Sequence, residues 1–63
     1  MSSREVIKRL QDAGWYLAKT VGDHHQFKHP EHRGKVTVPH PVKDLFVSVI
    51  KSIEKQSGVK LRE

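Results

Sequence analysis

Cysteine is absent from this 63-residue chain. Neither a disulfide staple nor a thiolate zinc cage can therefore hold the fold together, and packing or a partner must do so. Long apolar runs are also missing. Nothing approaches the roughly 20 residues of a membrane span, and no apolar stretch behind a basic start reads as a secretory signal, so a cytoplasmic protein with no membrane partner is expected. Repeats and low-complexity segments are absent as well. The length allows one domain, 1–63, which on folding buries only about 60% of the unfolded chain's surface.

Acidic residues are in deficit. Twelve Lys and Arg stand against seven Asp and Glu, giving a formal net charge of +5 and a sequence pI of 9.9. Such a balance favours an anionic partner, although basic surfaces also serve solubility alone. The imbalance is concentrated in the middle of the chain. Between His24 and Lys43, Lys28, Arg33, Lys35 and Lys43 face Glu31 alone, and all five histidines fall in the same window.

Ser2 and Glu5 form a capping-box signature that opens a helix over roughly Ser3 to Ala13, with Val6, Ile7, Leu10 and Ala13 on one side and Gly14 as its stop. Trp15 to Thr20 suits a strand. The glycine turn Val21-Gly22-Asp23 leads into a second strand, His24 to His29, and completes a hairpin. Pro30 to Gly34 then forms a turn before a third strand, Lys35 to Val38, which Pro39 and Pro41 end. Beyond Asp44, an expected N-cap, Phe46, Val49, Ile50 and Ile53 follow helical spacing up to Gly58. Val59 and Leu61 can fold back as a short tail, while Lys60, Arg62 and Glu63 give the end a solvated character. The predicted class is α+β, an α-β-β-β-α order with a three-stranded antiparallel sheet and both helices on one face.

Strand alternation separates the histidines. Phe27 turns toward the helices and takes His25 and His29 with it, so His24, Gln26 and Lys28 face outward. Val36 and Val38 turn inward in the third strand, which places Lys35 and Thr37 on the open side. Tyr16 joins them if Trp15 and Leu17 point inward. This row suits a phosphodiester backbone: lysines neutralise phosphate, Gln and Thr exchange hydrogen bonds, and an imidazole moves a proton near neutrality. Pattern alone leaves His24 open between proton transfer and an idle solvent position. His32 falls in a turn, and His40 sits between two prolines, where it either positions backbone or touches RNA.

Zinc is the other chemistry that five histidines suggest, and the spacing disfavours it. His24 and His25 point to opposite faces, His25 and His29 lie about 13 Å apart at strand rise, and no carboxylate is interleaved. No metal is expected. Serine and cysteine nucleophile schemes fail because the histidine-rich segment has neither residue.

The order of these pieces resembles the HicA mRNA interferases over nearly the whole chain. The resemblance rests on the amphipathic helix ending in Gly14-Trp15, on Gly22-Asp23-His24-His25-Gln26-Phe27-Lys28-His29-Pro30, and on Val36-Thr37-Val38-Pro39-His40-Pro41. Ile50-Lys51-Ser52-Ile53 leading to Lys55-Gln56-Ser57-Gly58 completes it. It implies a double-stranded-RNA-binding-domain-like fold and a toxin that cleaves messenger RNA, expected in single-stranded regions, without metal or cofactor and under inhibition by a HicB-like antitoxin. The catalytic histidine of that pattern falls on His24. Gln26, Lys28, Lys35 and Thr37 are then expected to bind RNA, with Gly22, Asp23, Tyr16 and His40 in support.

One position departs from the pattern. Asp23 stands where serine is usual, and a carboxylate there would repel phosphate and bias proton exchange at His24. Two other classes of function compete with the enzyme. One is a non-catalytic RNA-binding module of the same fold, and the other is a protein-binding subunit whose basic face meets an acidic partner.

Overall fold

In a computed structural model, which describes residues 1–62, the chain forms α1 (Ser3–Asp12), β1 (Tyr16–Val21), β2 (His24–His29), β3 (His32–Pro39) and α2 (Val47–Ser57). The α-β-β-β-α order is the one expected. Ser2 starts α1: its side-chain oxygen accepts the Glu5 amide at 3.2 Å, and its hydroxyl reaches the Glu5 carboxylate at 3.4 Å. Val6 and Leu10 then fall on the buried side of the helix. At its end Gly14 takes φ 99°, and the Trp15 amide bonds back to the Leu10 carbonyl at 2.9 Å, which carries the indole into the core.

The sheet is antiparallel with the order β1-β2-β3, so β2 is central. Gly22 at φ 55° and Asp23 without positive φ give the pattern of a type II′ hairpin between β1 and β2. Phe27 pairs with Leu17 on one side and Val36 on the other, and Phe27, Val36 and Val38 are all buried. Leu45, Ile50, Ile53 and Leu61 close the core from the second helix and its flanks. Burying each such side chain contributes about 1.5–3 kcal/mol, which makes a small core sufficient only when nearly every member is fully covered.

Several expectations are corrected. The third strand begins at His32, three residues before Lys35, because the turn is only Pro30-Glu31 and Gly34 at φ 78° absorbs a bulge inside the strand. Pro39 is its last residue, paired with His24, and lies inside the ladder where no amide donor is needed. Asp44 does not cap α2. Phe46 holds that position without a side-chain bond and is 79% exposed, so it leaves the apolar stripe that Ile50 and Ile53 form. Leu17 is half exposed: both helices pack on β3, and β1 is the opposite edge of the sheet.

The tail is not simply solvated. Gly58 stops α2 in the left-handed conformation, as expected, and Leu61 then returns to the core. Glu54 holds it there, accepting the amides of Leu61 and Arg62 at 2.9 and 3.1 Å and the Arg62 guanidinium at 3.0 Å. The Leu61 amide, more than any other group, lowers the Glu54 pKa, with Arg62 acting in the same direction and desolvation opposing. Glu63, named in the tail expectation, lies outside the described residues.

Candidate nucleic-acid interface

The tight Gly22-Asp23 turn sets the position of His24. It is the first residue of β2, directly opposite Val21 in β1 and Pro39 in β3. Its side chain is exposed, and among the described residues its ring has no hydrogen-bond or stacking partner. Asp23 is fixed through its backbone, its carbonyl accepting the His40 amide at 2.7 Å, and its exposed carboxylate makes no ion pair among the described residues. That amide bond ties the hairpin turn to the end of β3. The position of His24 therefore depends on three strands, although among the described residues no hydrogen bond or ring contact holds its side chain.

Register continues the row from there. Gln26 pairs with Lys19 and Thr37, and Lys28 pairs with Tyr16, so residues of all three strands share the side that His24 occupies. Lys28, Lys35 and Tyr16 are exposed, whereas Gln26 is half-buried. Thr37 is less open than expected. It lies half-buried beside α2, in a groove shared with Ser48 and Ser52, because β3 is the strand the helices cover. The face is thus most accessible over β1 and β2, with its lysines toward the Pro30-Glu31 end.

The other histidines are engaged with the protein. His40 Nδ1 lies 2.7 Å from the Ser3 hydroxyl, and Ser3 is itself almost fully buried, accepting the Val42 amide at 2.8 Å. The His25 ring packs edge-on against His40 at 4.8 Å, and its Nδ1 is buried without a hydrogen-bond partner. At the far end of β2, His29 Nδ1 accepts the Glu31 amide at 3.0 Å and Nε2 contacts the Ala13 carbonyl at 3.0 Å. An acceptor Nδ1 requires the proton on Nε2, which then donates to Ala13. Both ring nitrogens are thus committed.

His32, placed in a turn by the sequence, instead opens β3; it stays exposed, with its ring against Trp15 at 5.1 Å and His29 at 4.6 Å. Sequence reading missed Ser3 and Gly14. Ser3 reaches His40 across 37 positions, a pairing that no local pattern signals. Gly14 was legible only as a helix stop. An added Cβ there would stand 2.7 Å from His29 Nε2, so the glycine also makes room for an imidazole.

A small basic α-β-β-β-α domain with an open sheet face belongs to the double-stranded-RNA-binding-like class of folds. Within that class the chain matches, over residues 3–59, the family model described as HicA toxin of bacterial toxin-antitoxin systems. A solved structure titled HicA3 and HicB3 toxin-antitoxin complex superposes with a TM-score of 0.78 at 38% identity, covering 98% of this chain and 100% of that one. No curated protein matches. The chain belongs to the HicA toxin family. No helix among the described residues is long and apolar enough to cross a membrane.

Proposed function

We propose that this toxin is a metal-independent endoribonuclease acting on messenger RNA in the cytoplasm, with His24 as the group that moves the proton. The observation that carries this reading is an exposed imidazole, unengaged by protein, on the same side as Gln26 and Lys28. In the reaction, the RNA 2′-hydroxyl gives up its proton and its oxygen bonds to the adjacent phosphorus. The bond from phosphorus to the 5′-oxygen breaks, and that oxygen takes a proton. The products are a 2′,3′-cyclic phosphate and a 5′-hydroxyl, and DNA is inert because it has no 2′-hydroxyl.

His24 serves as general base or acid, a contribution worth about 10² to 10⁴-fold. Lys28 and Lys35 neutralise backbone phosphates, and Gln26 and Thr37 hold the backbone. Gly22 sets the hairpin that presents the histidine. His40 supports the turn from behind through its amide bond to Asp23, while its ring is turned to Ser3 and His25.

Control comes from a HicB-like antitoxin. A protein that covers His24 and offers Asp or Glu to the lysines would silence the site by occupying it. A complex that left His24 open to solvent would contradict inhibition by direct occlusion.

The second reading is a non-catalytic RNA-binding module. The engagement of His40 with Ser3 favours it, because the open face then offers a single imidazole for a reaction with two proton transfers. Incubating the purified protein with RNA in EDTA, beside His24→Ala, separates the two. Cleavage by the wild type and none by the variant is expected. RNA bound and left intact by the wild type would sink the enzyme reading.

A further inference from the structure

The lysine end of the sheet holds a cleft that the cleavage chemistry does not use. It measures about 460 Å³ and is lined by Tyr16, Lys28, His29, His32, Gly34 and Lys35. From the geometry of this cleft we infer a nucleobase subsite, in which one base of single-stranded RNA stacks on the rings of Tyr16 and His32 while Lys28 and Lys35 hold the phosphates on either side of it.

The walls are rings, and those of His29 and His32 are held by contacts with the protein. Tyr16 pairs in register with Lys28 and is 51% exposed. His32 is exposed and braced from behind by Trp15 and His29, with ring centroids 5.1 and 4.6 Å away. His29 is fixed in turn by bonds at both ring nitrogens, so it acts as a wall and not as a reacting group. Gly34 leaves the opening clear, since a Cβ built there meets nothing within 4 Å. Aromatic planes beside free cations, in a cleft with no carboxylate in its lining, match a base and its flanking phosphates.

Position ties the cleft to the cleavage centre. Lys28 follows His24 by four residues on the same strand and faces the same way, a separation of about 13 Å. A strand anchored by its base in the cleft can thus run along β2 to present a bond to His24, several ångströms away from the stacked residue.

The subsite presupposes RNA as the ligand, and its test reads binding apart from cleavage. In a His24→Ala background, a single-stranded RNA bearing one 2-aminopurine is titrated, and both affinity and 2-aminopurine quenching are followed. Quenching on binding is expected. Tyr16→Ala should abolish it and weaken affinity roughly 5- to 100-fold; Tyr16→Phe, which keeps the ring, should recover most of both, and His32→Ala should give an intermediate loss. Circular dichroism of each variant checks that the fold is kept.

Unchanged quenching and affinity in Tyr16→Ala would overturn the subsite and leave the lysines to an acidic protein partner. A wild type that fails to cleave, combined with Tyr16-dependent quenching, would refute the nuclease and leave the subsite standing. Cleavage without any Tyr16 dependence of binding would do the reverse.

Discussion

The two ends of β2 carry histidines in opposite circumstances. At the Gly22-Asp23 end, His24 projects from the open face with no partner among the described residues. At the Pro30-Glu31 end, His29 has both ring nitrogens bonded and its ring packed against Trp15 and His32. The strand and the residue type are the same, and the difference lies in what surrounds each ring. An imidazole that already supplies two structural hydrogen bonds would have to break one to move a proton, whereas His24 has none to lose. On the proposed reading, chemistry and stability fall to different histidines within one six-residue strand.

The largest expected effect tests that division directly. His24→Ala should lower RNA cleavage about 10² to 10⁴-fold while leaving the melting temperature unchanged, as measured by gel-resolved cleavage and thermal denaturation side by side. At the other end the sensitivities reverse. Gly14→Ala places a Cβ at positive φ, 2.7 Å from His29 Nε2. It should cost about 1–3 kcal/mol in denaturant unfolding, by strain and by loss of the Ala13 bond.

Behind the Gly22-Asp23 end, Ser3→Ala strips a partner from His40 and from the Val42 amide. A loss of about 1–2 kcal/mol is expected there. A smaller effect concerns Asp23, whose carboxylate precedes His24. Asp23→Ser should raise the cleavage rate by about 5-fold, the equivalent of roughly 1 kcal/mol for one charge screened by water, and less at high salt. No change, or a fall, would show that the carboxylate has no part in repelling the substrate.

The smallest effect lies far from either histidine. Because the folded-state pKa of Glu54 is lowered, the contribution of the tail latch is complete above the ordinary glutamate value and is lost as pH falls through the lower folded value. The Leu61 and Arg62 amide resonances should therefore shift together with a midpoint below the ordinary glutamate value. Glu54→Gln should remove that titration.

What was legible in the sequence depended on locality. Ser2 and Glu5, Gly58 and the alternation around Phe27 act within a turn or a strand, so their consequences could be read from spacing. Alternation alone sent His24 outward and His25 inward. Where bulges or distant segments decide, spacing misleads. Gly34 moved the start of β3 back to His32, Leu17 is half exposed on the strand farthest from β3, and the returning tail at Leu61 is held by Glu54. The candidate site was legible as a row on one face. Its limits were not, since Thr37 lies beside α2 and His32 lies against Trp15 only once the sheet and helices are assembled.

The most direct test is to measure cleavage of one single-stranded RNA in EDTA and the melting temperature for His24→Ala, His29→Ala and His40→Ala in parallel. His24→Ala is expected to lose cleavage with an unchanged melting temperature, while His29→Ala and His40→Ala lower the melting temperature. Cleavage that survives in His24→Ala would contradict the assignment of the chemistry to that end of β2.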